Sequence, residues 1–325
     1  MFMRPSVAPD STSAAQFALD VEYYLAQQPR QLPSRYLYDP LGSALFDAIC
    51  HLPWYRITRA EIRLLAGHGR AIFDAWKQGD TIVELGGGNG DKLVTLVEAG
   101  RRGATSLDLH LIDVSAKALS TSARVLSALG RVRVVTHEAP YEIGLEEVRR
   151  ERFGAGRMLA LFLGSNIGNF DPPGADAFLR GIRSALVRSD VFLIGADLVK
   201  PERDLLLAYD DPLGVTAAFN RNLLVRINRE LGGDCDVEAF SHRAIWNAAE
   251  SRVEMHLVSR RRQRVRIPAA HLEFELADGE SIWTESSYKY RPEDVAHMLE
   301  RAGFRLMEQW NDEEDAFALT LVEAA

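Results

Sequence analysis

Apolar and polar positions fall into two rhythms along this chain. From residue 81 to 196, short apolar runs of strand length occur at Thr81–Leu85, Leu107–Ile112, Val132–His137, Met158–Leu163 and Val191–Ala196. Stretches of helical period lie between them, among them Lys92–Ala99, Ala116–Leu129 and Pro173–Leu186. Strand and helix in alternation predict an α/β fold, a parallel sheet with crossover helices. Upstream, residues 1–14 read as a loose tail and Ser13–Ala26 as a helix, followed by short helices broken at Pro33, Pro40 and Pro53. Thr58 with Glu61 suggests a capping box for a helix over Arg59–His68. After Asp197 the rhythm changes. Residues 200–245 read as helical, 252–290 as β-rich, and the C-terminal stretch as helix, strand, strand returning to the sheet.

The first strand runs directly into glycines, TIVELGGGNGDK over Thr81–Lys92, and a later strand ends in Asp113. Glycine lets the chain turn sharply and lets a ligand approach the main chain, while an acid at that later strand end accepts from ribose hydroxyls. The pair points to a nucleoside cofactor. Its spacing is GGGNG rather than GxGxxG, and on the glycines alone a nicotinamide or flavin domain stays open.

Composition narrows the partners. With 325 residues, two domains or one domain with a large insertion are expected. The 38 basic and 46 acidic side chains give a net charge of −8, which argues against a nucleic-acid partner and suits a cationic ligand. The run Arg260, Arg261, Arg262, Arg264 and Arg266 lacks interleaved aromatics and reads as the exposed tip of a β-hairpin. Cys50 and Cys235 cannot build a disulfide framework. Eight histidines are scattered without a pair at helical ligand spacing, so no metal is expected. No signal-like segment and no apolar run near the ~20 residues of a membrane span are present, and a cytoplasmic protein without a membrane partner is expected, possibly a monomer.

The acid-and-glycine motif Glu84–Gly88 is similar to motif I of class I S-adenosylmethionine-dependent methyltransferases. Further motifs are more specific: YDPLGSALFDAI, LPWYRITRAE, LFLGSNIGNF, DLVK, AYDDPLGVTAAFNRNLLVRINRELG, EMHL and TESSYKY. In these the chain resembles the S-adenosylmethionine-dependent histidine Nα-methyltransferases of ergothioneine biosynthesis, from about Leu32 to the C-terminus. The resemblance implies a class I, Rossmann-like core with a mostly parallel seven-stranded sheet, and a smaller mixed α+β substrate-binding domain, with the amino acid between them. The boundaries expected are 1–70 with 200–285 for the smaller domain, and 71–199 with 286–325 for the core. It also implies three successive methyl transfers to the α-amine of L-histidine, giving hercynine.

Site residues follow from the same resemblance. Gly86, Gly88, Lys92 and Asp113 fall on the cofactor side. Glu138 is the candidate adenine contact, in a stretch (HEAPYE) that departs from the Gly-Asp-Phe frequent in the family. Arg56 stands where relatives often have a second tyrosine. Asn169 and Tyr209 match residues that hold the substrate's carboxylate and amine, Tyr38 and Tyr55 line the amine end as catalytic candidates, and Phe46, Met255, Phe219 and Gly164 shape the pocket. Glu285 and Ser287 match the pair that reads the imidazole.

Chemistry supports those assignments. In an extended strand Trp283, Glu285 and Ser287 share a face. A carboxylate and a hydroxyl there meet the two nitrogens of an imidazole, whereas an indole leaves one unserved, at a cost of roughly 1–3 kcal/mol or more. Tyrosines suit a quaternary ammonium product, at roughly 0.5–2 kcal/mol per contact. An α-amine with a pKa of about 8 is partly neutral already. No dedicated strong base is therefore expected, proton loss passing through a tyrosine hydroxyl or water. Rate would come mainly from alignment, worth up to ~7–11 kcal/mol. The alternatives are a relative acting on tryptophan, tyrosine or another amine, a nicotinamide-dependent oxidoreductase, and a non-catalytic cofactor-binding protein.

Overall fold

A computed structural model of the chain describes residues 14–325 apart from 78, 104–105 and 152–155. In chain order the elements begin with α1 (Ala14–Leu25), β1 (Arg30–Gln31), α2 (Pro40–Cys50) and α3 (Ile57–Ala75). There follow β2 (Thr81–Leu85), α4 (Asp91–Gly100), β3 (Leu107–Asp113), α5 (Ala116–Leu126), β4 (Val132–Glu138) and α6 (Tyr141–Glu151). Next come β5 (Met158–Phe162), α7 (Pro172–Ala185), β6 (Val191–Asp197), α8 (Glu202–Tyr209) and α9 (Val215–Leu231). The chain ends with β7 (Phe240–Asn247), β8 (Arg252–Ser259), β9 (Gln263–Ile267), β10 (Leu272–Leu276), β11 (Ser281–Tyr288), α10 (Pro292–Arg301), β12 (Phe304–Asp312) and β13 (Phe317–Ala324). The tail expected over 1–14 lies outside the described residues except for Ala14.

The chain divides into two compact units. The first comprises Ile57–Val199 and Lys289–Ala325, with a seven-stranded sheet in the order β12-β13-β6-β5-β2-β3-β4. Strands β6, β5, β2, β3 and β4 run parallel, β13 is antiparallel to β6, and β12 to β13. This is the α/β class I methyltransferase architecture expected, with β12 and β13 closing one edge. Near-continuous apolar strands such as β5 and β6 are buried along their whole length, as a sheet covered on both faces requires. Helix starts are locally encoded: Ser115 caps α5 and Asp171 caps α7 ahead of two prolines. Strand order reverses between β2 and β5, so the loops after these strands flank a crevice at their carboxyl ends.

Two expectations fail in this unit. Helix α3, assigned to the smaller domain by the 1–70 boundary, packs against α4, β12 and β13. It also begins at Ile57, which puts Thr58 inside the helix. Glu61 is fully buried rather than capping, because it falls on the inward stripe with Ile57, Ala60, Leu64 and Leu65.

The second, smaller unit comprises the described part of 11–56 with Lys200–Tyr288. Its sheet has the order β1-β11-β8-β7, and β9 with β10 forms a separate two-stranded ribbon. Helices α8 and α9 pack on β7 and β8. Residues 240–245, expected helical, lie in strand β7, which pairs along its length with β8. The arginine run is not a hairpin tip. It spans the connection out of β8 and enters β9, where Arg262 and Arg264 pair with Glu275 and Glu273 across the ribbon and Arg261 with Asp236. Among the described residues no helix is long and apolar enough to cross a membrane.

Candidate active site

In the core unit the glycine turn is built around a buried acid. Glu84, the only charge in the all-buried strand β2, has both carboxylate oxygens shielded from solvent and without a hydrogen-bond partner. A side chain at Gly87 would place its Cβ 2.2 Å from Glu84 Oε2, so only glycine lets the backbone pass over the carboxylate. Gly86 has φ +68° and donates its N–H to Ile112 O, and a Cβ there would lie 2.5 Å from the Tyr141 hydroxyl. Gly88 faces open space, and its carbonyl accepts from Ser122 Oγ at 2.6 Å.

Three carboxylates gather here against one amine. Glu61 accepts from the Gly164 N–H with both oxygens, at 2.9 and 2.8 Å, and pairs with Lys92 Nζ at 2.7 Å. Burial pushes Glu84 up to about 7; Lys92 draws it down, while Glu61 and Asp113 push it further up. Burial likewise raises Asp113, against hydrogen bonds from the Ser115 and Val114 backbone. Asp113 closes β3 in register with exposed Glu138 at the end of β4.

Such a floor suits a ligand carrying positive charge and a ribose. It opposes a dinucleotide, whose pyrophosphate needs positive potential. The orphaned oxygens of Glu84, the glycine cradle above them and the strand-end Asp113 fit S-adenosylmethionine, whose sulfonium and ammonium are both cationic. When bound, that cofactor supplies a methyl group on positively charged sulfur. Gly86, Gly88, Lys92, Asp113 and Glu138 would hold it.

Gly164 and Asn169, expected at the substrate, also belong to this unit, in the segment that leaves β5. The Gly164 N–H is committed to Glu61. Asn169 ends a short 3-10 turn, half-buried.

In the smaller unit the remaining predicted residues come together. Tyr38, Phe46 and Phe219 lie 5.4–5.9 Å apart by ring centroids, Phe46 meets Tyr55 at 6.2 Å, and Tyr55 meets Tyr209 at 6.3 Å. The Tyr209 hydroxyl donates to Ser287 Oγ at 2.8 Å, and the Tyr209 carbonyl lies 2.7 Å from His242 Nε2. Asp39, just after Tyr38, caps α2 and ties it to α9 by accepting from Gly42 N, Asn222 Nδ2 and Arg229 Nη2, each at 2.7 Å. Burial works against that carboxylate, but these three hydrogen bonds outweigh it and hold its pKa below the ordinary value.

Strand β11 departs from simple alternation. Its pairing with β8 shifts by one residue at Thr284, so Trp283 opposes His256 whereas Glu285 opposes Met255 and Ser287 opposes Val253. Glu285 and Ser287 therefore share the face of buried Met255, as expected. Trp283 does not; it stacks on His256 and lies against the Arg252 guanidinium, 4.6 Å from its ring centroid.

Several residues escaped the sequence reading. Glu61 was legible as an acid on a helix's apolar stripe, and Glu84 as an acid inside an apolar strand. Tyr141 and Asp39 carried no such mark.

The family model for histidine-specific, S-adenosylmethionine-dependent methyltransferases matches residues 17–324. The histidine N-alpha-methyltransferase of Mycobacterium tuberculosis (strain CDC 1551 / Oshkosh) is 41% identical over 323 residues, 98% of this chain and 99% of that one. The protein of the same name from Mycolicibacterium smegmatis is 40% identical, over 97% of each chain. Ergothioneine biosynthesis protein 1 of Neurospora crassa is 28% identical over 84% of this chain, which spans 33% of that longer protein. With its family matched over nearly its whole length and its glycine turn built for a cationic nucleoside, the chain belongs to the histidine-specific methyltransferases and is an S-adenosylmethionine-dependent N-methyltransferase.

Proposed function

We propose that this enzyme methylates the α-amine of L-histidine three times in succession, releasing the betaine hercynine for ergothioneine biosynthesis. The observation that carries the reading is the pairing of Glu285 and Ser287 on one face of β11, with the Tyr209 hydroxyl donating to Ser287. A hydroxyl and a carboxylate on one strand face match the two nitrogens of an imidazole, Ser287 serving one and Glu285 accepting from the other's N–H. Identity near 40% to two histidine N-alpha-methyltransferases over almost the full chain supports the same substrate.

The other residues take roles consistent with this. Asn169 donates to the α-carboxylate and Tyr209 helps fix the amine end. Tyr38 and Tyr55 offer π faces and phenolic oxygens to a nitrogen that becomes permanently cationic, which hydrogen-bond acceptors alone cannot satisfy. Phe46, Phe219 and Met255 set the volume beside them. The neutral amine supplies the attacking lone pair, and its proton leaves through a tyrosine hydroxyl or water at each of the first two transfers. Alignment by these side chains, rather than a strong base, lowers the barrier.

The decisive measurement is methyl transfer from isotopically labelled S-adenosylmethionine to each candidate amino acid, with products identified by mass spectrometry. Mono-, di- and trimethylhistidine should form in order and accumulate as hercynine. A betaine of tryptophan or tyrosine in its place would overturn the substrate, and arrest at one methyl would overturn the stepwise trimethylation.

A further inference from the structure

The core unit carries a second cluster of chemically competent side chains that the methyl-transfer reading leaves without a role. On the parallel strands β3 and β4, His110 and His137 project under helix α6 and are only 4% and 5% exposed. His110 Nδ1 lies 3.0 Å from His137 Nε2, and His137 Nδ1 lies 3.0 Å from Glu147 Oε2. Glu151, one helical turn beyond Glu147, completes the group: one ligand atom from each of His110, His137 and Glu151 lies within 4.8 Å of the other two. Ile112, Leu145 and Val148 belong to the apolar core behind them.

We infer that His110, His137 and Glu151 form a binding site for a divalent transition cation of the zinc or nickel class, with Glu147 as the carboxylate that orients one ligand imidazole. The proton inventory favours this. With Glu147 accepting from His137 Nδ1–H, the His137 Nε2 lone pair faces inward, directly at the second ring. Only one shared proton holds the two nitrogens together. An ion takes the place of that proton and uses both lone pairs, while the displaced proton moves to His110 Nε2 and both rings stay neutral. Tetrahedral zinc with Zn–N bonds of about 2.0–2.1 Å needs ligand nitrogens roughly 3.3 Å apart, a few tenths more than the present separation. A carboxylate behind a ligand imidazole fixes its tautomer and ring plane, as Glu147 does here. Imidazole and carboxylate donors together suit zinc and nickel better than calcium or magnesium, which favour all-oxygen shells. Three protein ligands leave one position for water.

The test uses the untagged full-length enzyme, freed of metal and titrated with Co²⁺ while visible absorption is followed, then with Zn²⁺ in competition by calorimetry. One ion per chain and the intense bands of low-coordinate cobalt are expected. Glu151→Gln changes an exposed side chain and should leave folding intact while weakening Co²⁺ binding at least tenfold. His110→Gln should abolish the bands, and Glu147→Gln should weaken affinity by about 10–100-fold. Wild-type protein that shows no cobalt bands, or Glu151→Gln that binds as tightly as wild type, overturns the site.

Discussion

The two units present opposite physical surroundings. The core unit gathers Glu61, Glu84 and Asp113 around a single lysine, in surroundings that strip water from the charges. The smaller unit offers aromatic rings from Tyr38 to Tyr209 and ends in neutral hydroxyls, with Glu285 beside them. A charged floor discriminates by the sign of what it binds, and it responds to pH. An aromatic wall with a paired carboxylate and hydroxyl discriminates by shape and by which nitrogens carry protons.

Breaking the charged floor should have the largest effect. Lys92→Met leaves Glu61 buried without its cation and should cost about 3–5 kcal/mol of stability, read as the midpoint shift in urea unfolding. The double variant Glu61→Gln/Lys92→Met should recover part of that loss; an additive double variant would show that the pair is not coupled.

On the other side, Glu285→Ala should lower kcat/KM for histidine by roughly 5–150-fold, equivalent to about 1–3 kcal/mol. Its affinity for S-adenosylhomocysteine, measured by calorimetry, should stay within twofold. Equal losses in both would place Glu285 outside the substrate site.

A pH series sharpens the contrast. Glu84 titrates at about 7, and a bound cation favours its ionised form, so cofactor binding should release a proton near neutrality. Protonated Glu84 dominates below pH 7 and ionised Glu84 above it. Affinity for S-adenosylmethionine should therefore tighten about tenfold from pH 6 to pH 8. Glu84→Gln should flatten the profile, and an unchanged profile in that variant would assign the pH dependence elsewhere.

The smallest effect is expected at Tyr209→Phe. Loss of the bond to Ser287 should raise KM for histidine by about 2–10-fold, or ~0.5–1.5 kcal/mol, with cofactor affinity untouched.

Much of this was legible because it is local. Glycines after an apolar strand and an acid closing the next one each leave their mark within a dozen residues. What was hidden depends on partners remote in sequence. His110 and His137 are 27 residues apart and meet only because β3 and β4 are neighbours, so a search for histidines at helical spacing passes over them. FSHRAIWN over Phe240–Asn247 lacks clean alternation because it is half-buried along most of its length, and its first six residues read as helix until β8 is there to pair with them. Glu61 looked like a cap because the pattern of a capping box carries no information about which way the helix faces. The register shift at Thr284 leaves no trace in composition at all.

That extra residue sets a condition on any attempt to transplant substrate choice. Copying the two polar side chains of β11 into a homologue with an uninterrupted ladder would hang the acid on the side where Trp283 stands, away from Met255. The portable module is the strand together with its insertion.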